Sequence, residues 1–568
     1  MWARRLLGFA VALLLIMQGC GGVIGPAEKV DAPTPPPPPP DTQNQLQGVF
    51  RWKGSDSGNG LYSAGTLTPQ TVSSSAFGLL ARYHTVGDIQ AQPLYVSNLD
   101  MGSAGVHNVL IVATEHDDIA AFDADGKVSA ALWQRSYLGP GITTGTAIFG
   151  GRTGLGPEVG ITGTPVIDPA SGAMYFVTLI VENGAIEQWV RAVDIRTGMD
   201  FGPGGVMVQA TLPGDGPGSN NGQISFDPSV QNQRCGLALV NGQVLIAWGS
   251  FSDSGVYRGW LMAYDGNTLK QTAVFSPATQ YQSQDAANGQ ADHGGGGAFW
   301  AAGAAPSIDS AGNIYLIAAD GSFNASTGGQ NYGDSVLKLK LSNGSFQVLD
   351  YYTPANNACL DHADLEIGSG GLMLLPSGAA GSQPLAITGN KEGRLYLLDT
   401  SNLGKFDAAD AQIPQQFLVG SQACQPGQAA AGADGPGWER LYGNATYWNG
   451  SVYLAPANTD LRQYRFSGGT LSTTPASRSV TQFLNRGANT VVSANRNADA
   501  IVWAETKDAK SAISLHAYDA NDVSHELWNN YKGTNVLYPG VRFATPVVVD
   551  NKVIAAGKND VFIYGLVH

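Results

Sequence analysis

Cysteine is scarce in this chain: four residues in 568, at Cys20, Cys235, Cys359 and Cys424. That excludes a disulfide-stapled scaffold or a clustered thiolate metal site, both of which need closely spaced cysteines. Charge is thin as well. Charged residues make up 13% of the chain, the formal net charge is −14, and Lys and Arg form no cluster. An acidic surface without a basic stripe is a poor match for nucleic acid or anionic lipid headgroups. The apolar stretch from Leu6 to Met17 has twelve residues, whereas a bilayer span needs about 20. The sequence contains no Cys-x-x-Cys-His, His-Glu-x-x-His, nucleophile elbow, EF-hand loop or Gly-Lys-Ser/Thr phosphate loop. Covalent haem attachment, zincin, serine-hydrolase and P-loop chemistry therefore lack their motifs.

What is present is repetition. An apolar run ending in Asp and a turn occurs five times, in AAFDADG, RAVDIRTG, LMAYDGNT, LYLLDTSN and LHAYDAND, at Asp123, Asp194, Asp265, Asp399 and Asp519. Weaker copies near Leu341 and Phe466 fill the gaps. A continuous apolar run is the mark of a strand buried on both faces, and a following Asp bonds the backbone two residues on, turning the chain into the next strand. Upstream of each phrase lies a strand–turn–strand with Gly or Asn at the turn, as in LVNGQVLIAW and YWNGSVYLA.

Hairpin, phrase and the strand after it make four strands per unit, and units open near Pro93, Gly163, Leu237, Ala305, Gly371, Ala445, Val491 and Thr545. This predicts an all-β, eight-bladed β-propeller of four-stranded antiparallel blades, with seven blades as the alternative count. The last unit runs out of chain after three strands, so AFGLLARYHTV (Ala76–Val86) is expected to supply its outer strand and close the ring. Residues 48–568 form one domain, because a propeller packs each blade only on its neighbours.

The front of the chain differs. Arg4 and Arg5, the apolar stretch and Gln18-Gly19-Cys20 have the zones of an export signal over residues 1–19. Cys20 resembles the acylation site of bacterial lipoproteins, the competing reading being an ordinary cleaved signal. Gly21 is not the Asp of inner-membrane retention, so the resemblance favours an outer-membrane lipoprotein, facing either the periplasm or the outside. Residues 20–47 read as lipidated Cys and tether, with Pro35 to Pro40 as extended polyproline II. In an oxidising compartment Cys359 and Cys424, in long loops flanking the fifth blade, are the expected disulfide. Cys235 is left as a buried thiol on the first strand of blade three.

The segments FRWKGSDSGNGLYSAGTLTPQ, VHNVLIVATEHDDIAAFDAD, GPEVGITGTPVIDPASGAMY, DLEIGSGGLMLLP, GNKEGRLYLLD and VIAAGKNDVFIYGL resemble secreted bacterial propellers built from pyrroloquinoline-quinone (PQQ)-type repeats. The resemblance covers nearly all of residues 48–568. It implies one of two groups: quinoprotein alcohol dehydrogenases, which hold PQQ and Ca²⁺ at the propeller axis, or cofactor-free scaffolds of the cell envelope. It places Asp364 as the general base with Glu366 its neighbour, and Lys391 with Arg394 at the quinone oxygens. The dehydrogenases commonly carry two adjacent cysteines against the quinone, and this chain has no Cys-Cys pair.

Read from the residues alone, CLDHADLEIGSGG concentrates Asp361, His362, Asp364 and Glu366, and as a strand it would put His362, Asp364 and Glu366 on one face. The competing reading is a solvated loop, and for Lys391 and Arg394 a charged β-turn. Glu115, His116 and Asp117 alternate across a strand and do not converge on a metal, so no metal ligands are assigned. His293 before Gly294–Gly297 reads as a slack loop entering blade four. The leading expectation is a lipid-anchored, non-catalytic propeller without cofactor. It binds an envelope protein or polymer through Pro213–Arg234, Ala278–Gly297 or Ser401–Trp438, in an unspecified oligomeric state. The alternative is a PQQ- and Ca²⁺-dependent dehydrogenase of an alcohol or sugar.

Overall fold

The computed structural model describes residues 46–145, 156–282, 295–379, 381–425, 438–484, 486–507, 512–531 and 538–567. The export signal (1–19), Cys20, the Pro35–Pro40 run and His293 lie outside the described residues. From Leu46 onward the chain is one compact unit.

Eight blades surround an axis, which decides the count against seven. Their innermost strands are Leu94–Asp100, Val166–Ile167, Ala238–Val240, Ser307–Ile308, Met373–Leu374, Thr446–Trp448, Asn489–Asn495 and Val547–Val549. The Asp-ended phrases are the third strands, and their carboxylates make the turns into the fourth. Asp123, Asp194, Asp399 and Asp519 each accept the amide two residues on at 2.8 Å, and Asp265 accepts those of Asn267 and Thr268 at 3.2 and 2.9 Å. Between blades the faces are filled by large rings, with Trp248, Trp260 and Trp503 fully buried.

The amino-terminal strand closes the ring. Phe77–Asp88 pairs antiparallel with Lys558–Leu566, setting Phe77 opposite Leu566 and Tyr83 opposite Val561. Its aromatic side chains reach both neighbours: Phe77 meets Trp528 of blade seven edge-on at 5.0 Å, and Tyr83 stacks on Phe122 of blade one at 4.6 Å. Each such pair adds about 1 kcal/mol to the burial itself.

Ahead of that strand, residues 47–66 do something the sequence reading lacked: they thread the axis and touch every blade. Gln47–Val49 pairs with blade one and Leu61–Ser63 runs parallel to blade seven. Between them the carbonyls of Phe50, Asp56 and Ser57 accept the amides of Ile167, Ile308 and Leu374 at 2.8, 2.8 and 2.9 Å. Trp52 packs among Cys235, Ala238 and Ala304 of blades three and four. Lys53 Nζ donates to the Ala445 carbonyl at 3.1 Å and to Thr446 Oγ1 at 3.2 Å in blade six, and Asn551 of blade eight accepts the Thr66 amide at 2.6 Å.

Three expectations need correcting. The loop Pro213–Arg234 is partly strand: Gln223–Ser225 pairs with Thr211–Pro213, at the loop's start, in a two-stranded ribbon, and Gln231–Asn232 joins blade three. Ser401–Trp438 contains Gln415–Leu418, the outer strand of blade five. Cys235 precedes the first strand of blade three rather than lying on it; it is buried and free, donates to the Phe299 carbonyl at 3.1 Å, and burial pushes its thiol up to about 12.

Candidate axial site

A cavity of about 250 Å³ opens on the axis, lined by residues just ahead of the innermost strands and by Ser252, Asp253 and Lys391 from the turns after second strands. Four are cations: Arg234, Lys391, Arg486 and Arg542. Three are carboxylates, Asp253, Asp364 and Glu366, and Trp300, Tyr442 and Phe543 supply ring faces. The guanidiniums of Arg486 and Arg234 lie over Tyr442 and Phe543 at 4.6 and 5.3 Å, which holds both planar cations in place.

The acidic segment is not a strand. Asn357–Ala363 is a short helix, and Asp364 is its cap in the left-handed region at φ 55°, a conformation Asp tolerates better than most residues. Leu360, Ala363, Leu365 and Trp438 bury the helix against the body, and the Cys359–Cys424 disulfide, with Cα atoms 6.1 Å apart, ties it to the loop after blade five. The chain then turns through Ile367–Ser369, where Gly368 approaches Ala319 so closely that a Cβ would sit 2.7 Å from its Cα. His362 is exposed, and Asp361 accepts the Gly321 amide at 2.8 Å. Alternation on a strand therefore fails to predict which groups converge. The helix cap turns Asp364 inward and the following extended residues bring Glu366 after it.

Lys391 stands at the turn of the blade-five hairpin, its amide donating to the Glu366 carbonyl at 3.2 Å. Its Nζ contacts both carboxylates, Asp364 Oδ1 and Glu366 Oε1, the latter at 2.7 Å. Glu366 Oε1 also accepts from Ser369 Oγ at 2.9 Å, while its Oε2 is buried without a hydrogen-bond partner among the described residues. Burial alone would lower the Lys391 pKa, but Glu366 and Asp364 outweigh it and hold the ammonium well above its ordinary value. Burial raises Glu366 to about 7 against the pull of Lys391. Asp320 and Asp334, behind the site, are raised well above the carboxylate range by burial, with Asp253 adding to the first and Asp361 to the second.

Asp364, Glu366 and Lys391 thus meet in one cavity. Arg394 does not join them, because its Nε donates to Glu392 Oε2 at 2.8 Å and it stands away from the cavity lining. Near blade one the acidic side chains diverge: Glu115 accepts Gly160 N, Asp117 accepts Leu179 N, and His116 pairs with Glu158 at 2.9 Å. Among the described residues no group of three or more His, Cys, Asp or Glu is placed to hold a metal ion. The sequence reading missed Arg234, Trp300, Tyr442, Arg486 and Arg542. All five sit a few residues before an innermost strand, so comparing that position across the blades was the available signal.

No protein-family model and no curated protein matches the chain. Solved structures do. Quinohemoprotein alcohol dehydrogenase ADHIIG from Pseudomonas putida HK5 aligns with a TM-score of 0.62 at 14% identity, over 92% of this chain and 80% of that one. The quinohemoprotein alcohol dehydrogenase from Comamonas testosteroni aligns at 0.58 and 15%, over 92% and 80%. A europium-containing methanol dehydrogenase aligns at 0.56 and 12%, over 91% and 98%. The chain has the eight-bladed propeller fold found in these quinoprotein dehydrogenases.

Proposed function

We propose that the axial cavity binds a small, planar, anionic molecule of the polycarboxylate quinone class, and that the protein is a quinone-dependent dehydrogenase of an alcohol or sugar. The observation that carries this reading is the meeting of Asp364, Glu366 and Lys391 in a cavity walled by arginines and rings. Lys391 and Glu366 are largely withdrawn from water, at a cost of several kcal/mol for a buried ion, and binding an anion gives that arrangement a use. Guanidiniums bind carboxylates in a planar, bidentate manner, and ring faces accept a flat molecule.

A quinone held there by Arg234, Arg486 and Arg542 would supply the two-electron acceptor for the oxidation. The side chain of Asp364 is 35% exposed where that of Glu366 is 1%, so Asp364 is the carboxylate that can reach a substrate hydroxyl and take its proton. Lys391 orients Asp364 through its ammonium, and Glu366 with Ser369 anchors Lys391. Calcium fits poorly, because the Lys391 ammonium already lies between the two carboxylates and, among the described residues, no set of three His, Cys, Asp or Glu ligands is assembled.

The test is titration of purified protein with PQQ, followed by dye reduction over a panel of alcohols and aldoses. Tight binding and turnover that Asp364→Asn abolishes are expected; absence of both would remove the enzyme. We also assign the protein to the cell envelope as a lipid-anchored species, on the strength of the sequence around Cys20. Cys20→Ser should then release it from the membrane fraction. Recovery of an envelope partner whose binding is indifferent to the cavity variants would favour the scaffold instead.

A further inference from the structure

We infer that Lys391 is the axial site's own cation: its ammonium takes the place between Asp364 and Glu366 that a divalent ion would need, so an anionic ligand binds here without metal. The ligand half of this rests on the reading above; the cation half does not.

Three observations place the ammonium there by construction rather than by chance contact. Its backbone amide is bonded to the Glu366 carbonyl at 3.2 Å, so the hairpin turn and the acidic segment are locked together. Glu366 is fixed by Ser369 Oγ at 2.9 Å, and Asp364 by the cap of a helix that the Cys359–Cys424 disulfide pins down. Both carboxylates contact the same Nζ. A calcium ion asks for 6–8 oxygens at about 2.3–2.6 Å. Here two oxygens that would have to serve it are turned toward a nitrogen that cannot ligate while protonated.

The neighbouring acids do not restore a demand for metal. Asp334 accepts the Ile367 amide at 3.1 Å and Asp361 accepts the Gly321 amide at 2.8 Å, so each already has a backbone partner. Burial favours the neutral acid at Asp320 and Asp334. The four cations of the lining exceed its three carboxylates by one, which suits an anion without a metal to neutralise it.

Terbium luminescence, sensitised by nearby Trp and Tyr, reads the cation half on the full chain with no ligand present. Wild-type protein is expected to give no saturable signal attributable to this site. Lys391→Met, checked for native circular dichroism, should gain a saturable site at least about tenfold tighter, lost again in Lys391→Met/Glu366→Gln. Lys391→Gln serves as the second variant should the first fail to fold. A saturable wild-type signal that Asp364→Asn or Glu366→Gln removes would overturn the inference, and so would the absence of any gain in a folded Lys391 variant. For the ligand half, the Kd for PQQ should agree within about twofold in EDTA and in excess Ca²⁺; a tightening of about tenfold with Ca²⁺ would overturn it. Should PQQ fail to bind at all, the dehydrogenase reading falls and the terbium arm still decides the cation.

Discussion

Lys53 is buried and Lys391 nearly so, its side chain 12% exposed, and their surroundings push them in opposite directions. Lys53, in the segment that fills the axis, donates to the carbonyls of Asn444 and Ala445 and to Thr446 Oγ1, and burial lowers its pKa to about 7. Lys391, at the cavity, faces two carboxylates and is held well above its ordinary value. Burial is common to both; the partner decides the charge. The difference separates a lysine that serves the fold from one suited to a site.

The contrast can be broken from the fold side first. Trp52→Ala, beside Lys53, removes a ring buried between blades three and four and should cost about 3–5 kcal/mol in urea unfolding. An unchanged midpoint would mean that the axial segment docks without supporting the ring. Next, opening the Cys359–Cys424 loop of 65 residues with paired serines should cost about 2–4 kcal/mol. It should also weaken PQQ binding, since the helix that aims Asp364 loses its tie. From the site side, Lys391→Met should reduce PQQ affinity by about 100-fold, close to 2.7 kcal/mol, whereas Lys53→Met should leave it within about threefold. Equal losses would erase the distinction.

The smallest expected effect is in pH dependence. Because the folded pKa of Lys53 is near 7 against 10.5, the unfolded chain binds more protons between those values. Stability should therefore rise with pH across that window by about 1–3 kcal/mol, and Lys53→Met should flatten it. Glu505 on blade seven behaves oppositely. Burial lifts its carboxyl from 4.5 to about 8, so its contribution is present below pH 4.5 and lost as pH rises through 8. Glu505→Gln should remove that decline, as measured by denaturant titration at pH 5 and 9.

How far the fold was legible follows from what each signal reports. The Asp phrases were readable because an Asx turn is a local bond between a side chain and an amide two residues on, and all five occur as expected. The missing outer strand was readable because the final unit lacked one, and Phe77–Asp88 supplies it. Asp364 and Glu366 do meet at Lys391, but not by the local geometry read from the sequence. Period-two alternation was assumed where a left-handed cap and a short helix set the directions. The resemblance set Arg394 with Lys391, but Arg394 pairs with Glu392 and stands apart from the cavity lining. The axial segment went unread because its contacts run to eight separate blades and leave no periodic trace.

The sequence by itself determined the repeat, the blade count within one, and the closure of the ring, because turns and apolar strands are written in neighbouring residues. Only the tertiary structure decided that one end of the axis is filled while a cavity remains beside it. It alone placed cations from blades three, five, seven and eight around the same space. It also decided which buried lysine keeps its charge. Each of these depends on side chains far apart in the chain being desolvated together, and the free energy of a charge in such a place is set by its neighbours rather than by its own residue type.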